Sequence, residues 1–105
     1  MIEAQFTRNP QGLLVGFEVK NHGKSHVCAA VSMLVINTVN SIEALTEADF
    51  TCNFDEKKQG FITFVLDSCR SKPPGRDAGL LLDAMVLGLE SVTNQHPSEL
   101  LLKEM

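Results

Sequence analysis

A chain of 105 residues and 11.5 kDa is the size of one domain with a modest core. Its 44% apolar and 21% charged content excludes a disordered chain, and 13 acids against 9 bases, net charge -4, argue against an electrostatic nucleic-acid binder. Met1-Ile2-Glu3-Ala4-Gln5-Phe6 shows no basic region followed by an apolar run. No stretch approaches the roughly 20 consecutive apolar residues that a bilayer span needs. The expectation is a soluble, cytoplasmic single domain over residues 1–105, with neither a membrane nor nucleic acid as a direct partner.

Ile2, Ala4 and Phe6 alternate with polar residues and predict a first strand. Asn9-Pro10-Gln11-Gly12 supplies turn chemistry, and Leu13, Val15, Phe17 and Val19 then share one face of a second strand, so the pair reads as a hairpin. From Val27 to Leu45 the period changes: Val27, Val31, Leu34, Val35, Ile42 and Leu45 recur at helical spacing, with Asn37, Asn40 and Glu43 on the remaining surface. Phe50, Cys52 and Phe54 alternate again, and Asp55 to Gly60 form a polar turn. Phe61 to Leu66 is apolar on both faces, as a central strand covered on two sides would be. Asp67 to Arg76 is a loop with Arg70, Lys72 and Arg76. Asp77 then serves as N-cap for a second helix to about Asn94, and Leu100-Leu101-Leu102 forms a short last strand. The order ββαββαβ describes an α+β domain of two layers, with two helices on a central, mostly antiparallel sheet.

Both helices are apolar beyond the stripe that one sheet can bury. Leu80, Leu81, Leu82, Met85, Val86, Leu87, Leu89 and Val92 cover most of the second helix, and Met33 and Ile36 lie outside the main stripe of the first. A second copy of the chain would cover these residues, so a homodimer is expected; packing of the two helices on each other is the alternative.

Three cysteines, Cys28, Cys52 and Cys69, with no secretory signal indicate reduced thiols rather than a disulfide framework. Cys52 is expected to face the core of its strand. Cys69 sits in the basic loop, where neighbouring Arg70 would favour its thiolate, but no His is close in sequence and an incidental surface thiol is the preferred reading. Cys28 falls in the first turn of the first helix, where unpaired backbone N–H groups and the helix dipole favour a thiolate. His22 ends the preceding strand, and the segment to Cys28 is long enough to bring its imidazole within hydrogen-bond reach. Ser32, four residues on, shares the helix face of Cys28 and can bond toward the sulfur or back to a carbonyl. Three readings stay open: a nucleophilic Cys–His pair, with His26 as a second candidate base; an inert core thiol; and a metal set of His22, His26 and Cys28. The metal set lacks a fourth ligand and the paired-cysteine spacing of zinc sites, so no metal or cofactor is expected.

His22 followed by Val27-Cys28-Ala29-Ala30-Val31-Ser32, opening an apolar helix, resembles the ribosomal-processing cysteine protease family, Prp. That family pairs a Gly-His-Ala element at a strand end with an Asp-Ile-Val-Cys-Ala-x-x-Ser element at a helix start, and the likeness extends to chain length and element order. The resemblance implies a homodimeric cysteine endopeptidase. Its His22/Cys28 dyad would remove the N-terminal extension of large-subunit ribosomal protein twenty-seven after paired aromatic residues, permitting ribosome assembly. Ser32 would be the supporting hydroxyl, and Ser25 occupies the place of the family's Asp. Asn21, Gly23 and His26 replace the family's Gly, Ala and Ile, and the five residues between His22 and Cys28 make this a short-loop member. A non-catalytic, dimeric, ribosome-associated binding protein of the same fold is the alternative.

Overall fold

The computed structural model describes residues 1–20, 26–55 and 61–104. The elements run β1 (Ile2–Arg8), β2 (Leu14–Lys20), α1 (His26–Leu45), β3 (Phe50–Asp55), β4 (Phe61–Leu66), α2 (Gly75–Gln95) and β5 (Leu100–Glu104). The expected ββαββαβ order holds. Residues 56–60 of the expected polar turn lie outside the described residues.

The strands form one open five-stranded sheet in the order β3-β4-β2-β1-β5. β1–β2, β2–β4 and β4–β3 pair antiparallel, and β5 joins β1 in parallel. Ala4 opposes Val19, Phe6 opposes Phe17, and Phe17 opposes Phe64, so their side chains share one face. α1 and α2 cover that face. The core between the layers is built on Phe6, Leu14, Phe17, Val19, Ile62 and Phe64 from the sheet, with Val31, Val35 and Ile42 from α1 and Leu82, Met85 and Leu89 from α2. Phe17 and Phe50 stack on either side of Phe64, with ring centroids 5.1 and 5.2 Å away.

Four expectations are corrected here. In β2 the buried set is Leu14, Phe17 and Val19 rather than Leu13, Val15, Phe17 and Val19. Thr7 opposes Gly16 but Arg8 opposes Leu14, so Val15 is an extra residue that flips the parity of the strand's start. β4 is not covered on both sides: Ile62, Phe64 and Leu66 are buried, while Val65, on the other face, is 53% exposed. α2 starts at Gly75 behind Pro74 rather than behind Asp77, because proline needs no N–H at a helix start. Asp77 sits inside the first turn, where its charge still complements the dipole. Finally, α1 is a 20-residue helix whose only acid or base besides His26 is Glu43, long and apolar enough to cross a membrane by length and composition. Its apolar stripe is instead buried on the sheet, at Val27, Cys28, Val31, Val35, Val39 and Ile42. Leu45, assigned to that stripe by spacing, is its exposed last residue.

The face of the sheet away from the helices carries an ion-pair cluster and the exposed Val65. Lys103 and Lys20 clasp Glu3 at 3.1 and 3.2 Å, tying β5 and β2 to β1. The hydrogen bond from Lys103, then that from Lys20, holds the Glu3 carboxyl below the usual carboxylate range. At the other end of β1, Arg8 pairs with Glu104 at 3.2 Å.

Two substitutions test this layer. Phe64→Ala removes the middle ring of the stack and is expected to cost about 3–5 kcal/mol in urea unfolding. Gly16→Ala would place a Cβ 2.8 Å from the Phe64 carbonyl oxygen, backbone that cannot swing away. A loss of about 1–3 kcal/mol is expected in the same measurement.

Candidate active site

Cys28 is the third residue of α1, within its first turn, and is 5% exposed. Val27 and Val31, buried beside it in the core, seat this end of the helix on the sheet. The first turn holds no acidic residue, so no carboxylate opposes a negative sulfur at the positive end of the helix. Backbone N–H groups at a helix start lack intrahelical acceptors and can receive an anion.

The Ser32 hydroxyl donates to the Cys28 carbonyl oxygen at 2.8 Å, the backward bond that a serine makes to the preceding turn. That bond links Ser32 to the residue expected to carry the chemistry through its backbone. His26, the second candidate base, is the exposed first residue of α1. His22 and Ser25, and with them the geometry of the dyad, lie outside the described residues. Among the described residues, no group of three His, Cys, Asp or Glu side chains is close enough to hold a metal ion.

A shallow cavity of about 420 Å³ follows the outer face of α1 from Ala29 through Ser32, Met33 and Ile36 to Asn40. It begins one residue beyond Cys28. By spacing in the sequence, Met33 and Ile36 fall outside the buried stripe, Asn40 on the remaining surface and Ser32 on the face of Cys28. The open space above the outer face is a property of the tertiary structure, which leaves that face uncovered.

The other two thiols differ in environment. Cys52 points to the helix side of β3 but is only half buried, because β3 is an edge strand; burial raises its thiol above the ordinary range. Cys69 is exposed, and its thiolate is favoured first by the Ser71 hydroxyl, 3.0 Å from its sulfur, with a smaller contribution from the charge of Lys72. Arg70, expected to supply that effect, turns away instead. Its guanidinium packs against Gly79 of α2 and reaches Asp83 at 3.2 Å. Arg70 Nε and Nη1 are buried without a partner among the described residues.

The chain matches the family of cysteine protease Prp over residues 1–100. Solved structures agree with that match. SMU.848 from Streptococcus mutans is 30% identical, with a TM-score of 0.86 over 100% of this chain and 94% of that one. The essential ribosomal processing protease Prp of S. aureus, solved with a covalently linked product peptide, is 24% identical with a TM-score of 0.85 over 100% of both chains. The same S. aureus protease with a substrate peptide superimposes with a TM-score of 0.86 at 22% identity, again over 100% of both chains. No curated protein sequence matches the chain. An α+β domain with a cysteine in the first turn of its sheet-covering helix is thus the class that fold and site define. The chain belongs to the cysteine protease Prp family.

The two outer thiols give a pH test. Cys69, lowered, is expected to alkylate with a midpoint on the acid side of an ordinary thiol, and Cys52, raised, on the alkaline side. Iodoacetamide rates against pH, read by peptide mass spectrometry, check that order. Ser71→Ala should move the Cys69 midpoint upward.

Proposed function

We propose that this protein is a cysteine endopeptidase of the cytoplasm. It removes the N-terminal extension of large-subunit ribosomal protein twenty-seven during ribosome assembly, with Cys28 as nucleophile and His22 as base. The observation that carries the reading is the position of Cys28: third in a helix whose first turn lacks carboxylates, in a chain of this protease family.

The chemistry follows from those parts. His22 takes the thiol proton, and the helix start favours the resulting thiolate. Cys28 Sγ attacks the scissile carbonyl carbon, and the π electrons move to oxygen. Backbone N–H groups at the start of α1 stabilise that oxyanion. When the tetrahedral intermediate collapses, the C–N bond breaks and His22 gives its proton to the leaving amine. Water, deprotonated by His22, then cleaves the thioester and releases Cys28. Ser32 supports the turn that holds Cys28 through its bond to the Cys28 carbonyl. The uncovered face of α1 beside Cys28 offers apolar contacts at Met33 and Ile36 for substrate side chains.

The protein acts as a homodimer in this reading. Leu80 and Leu87 of α2, seven residues apart on one helix face, are 70% and 66% exposed, a cost that a second copy removes. The deep burial of Cys28 favours a second reading, a non-catalytic dimer that binds a ribosomal protein through the same face.

One substitution separates the two. Cys28→Ala is expected to abolish cleavage of a peptide spanning the extension of that ribosomal protein, measured by mass spectrometry; retained ribosome-assembly function in a Cys28→Ala strain would support the binding protein instead. In the enzyme, Cys28 alkylates at neutral pH and His22→Ala slows it by about tenfold or more. Replacing both Leu80 and Leu87 by Asp is expected to convert the dimer to a monomer in light scattering with the circular dichroism spectrum kept. An unchanged mass would remove the α2 face from the interface.

A further inference from the structure

Among the described residues β3 is an edge strand, paired only with β4, so half of its backbone N–H and C=O groups face outward. Between this edge and the C-terminal half of α1 runs a groove of about 560 Å³, lined by Val39, Asn40, Glu43, Asp49, Cys52 and Phe54 among others. Val39, Ala48, Phe50, Cys52 and Phe54 contribute its apolar part, and Phe54 is 56% exposed. The charged residues that line the groove, Glu43 and Asp49, are both acidic. From Val27 to Asp55 the sequence contains Glu43, Glu47, Asp49 and Asp55 and not one Lys, Arg or His. Neither Glu43 nor Asp49 forms an ion pair among the described residues.

We infer that the β3 edge is a docking site for an extended, basic segment of polypeptide, added to the sheet as a further strand. Main-chain hydrogen bonds to β3 would hold it. Alternate side chains would enter the groove, the apolar ones against Val39, Cys52 and Phe54 and the cationic ones against Glu43 and Asp49. A second copy of this chain is a poor occupant: two-fold pairing of β3 with β3 would bring the same carboxylates of both copies together, in a protein of net charge -4. Asn40 lines both this groove and the cavity along the outer face of α1, whose first lining residue, Ala29, follows Cys28 in the chain. Twelve helical residues from Cys28 to Asn40 cover about 18 Å, a distance that about five or six extended residues span. On the protease reading above, the bound segment is therefore the part of a basic substrate that flanks the cleaved bond, so the groove selects substrates by charge and strand-forming tendency away from the cut.

Cys52 is a reporter in the groove and Cys69 an exposed control outside it. The probe is the peptide acetyl-Lys-Val-Lys-Leu-Lys-Val-Lys-amide, and its counterpart carries Glu in place of every Lys. Saturating Lys peptide is expected to slow Cys52 alkylation by about tenfold and leave Cys69 unchanged, with the Glu peptide without effect. Replacing Glu43 and Asp49, both exposed, by Lys should weaken the Lys peptide by about tenfold or more, about 1.4 kcal/mol, in a chain whose unfolding midpoint is unchanged. Equal protection by both peptides, or none by either, overturns the inference. So does protection of Cys52 that grows with protein concentration alone, which would assign the edge to a second copy. Because alkylation of Cys52 needs no catalysis, the protease reading fails separately, when groove binding persists and no peptide bond is cut.

Discussion

The site rests on the burial of one stripe of α1 against one face of the sheet. Val27, Val31, Val35, Val39 and Ile42 cannot all leave water unless the helix lies along the sheet in a single rotational setting. That setting fixes where its first turn stands. Cys28 belongs to the stripe, so the residue best placed for chemistry is also part of the core, where it is buried with Val27 and Val31. The opposite side of α1 is left free by the same rotation, which is why an open cavity runs along Ala29, Ser32, Met33 and Ile36.

The sheet makes this possible by being asymmetric. One face carries the stacked phenylalanines and takes both helices; the other carries Glu3, Lys20 and Lys103 and is left to solvent. α2 lies beside α1, and the two touch where Gly88 admits Leu34, whose Cδ2 would lie 2.7 Å from a Cβ at that position. Two helices on a five-stranded sheet leave the edge at β3 incompletely roofed, so Cys52 is half buried and Phe54 protrudes. Membership of the Prp family agrees with this architecture over nearly the whole chain.

Much of this was legible in the sequence. Periodicity gave α1 within one residue at its start, and Phe50-x-Cys52-x-Phe54 marked β3. The motif around Cys28 gave the family. Parity in β2 was not legible, because a bulge at Val15 depends on how the partner strand registers, not on the alternation itself. The start of α2 was misplaced because aspartate is a strong capping residue and Pro74 a strong starting one, and only the folded loop shows which wins. The direction of Arg70 was hidden for a similar reason: Gly79, nine residues away in sequence, leaves room against α2 for its guanidinium, so chain neighbourhood with Cys69 did not become spatial neighbourhood.

The sequence by itself determined the element order, the buried stripe of α1 and the chemical identity of Cys28, because hydrophobic period and residue type are local properties of the chain. Tertiary structure alone decided which faces stayed open. β4, apolar on both sides in sequence, is covered on one, and Leu80 and Leu87, as apolar as Leu82 and Leu89, remain outside. A side chain's hydrophobicity states its preference for burial. Whether another element is available to bury it depends on the arrangement of layers, which in this chain supplies cover for one face of the sheet and one stripe of each helix.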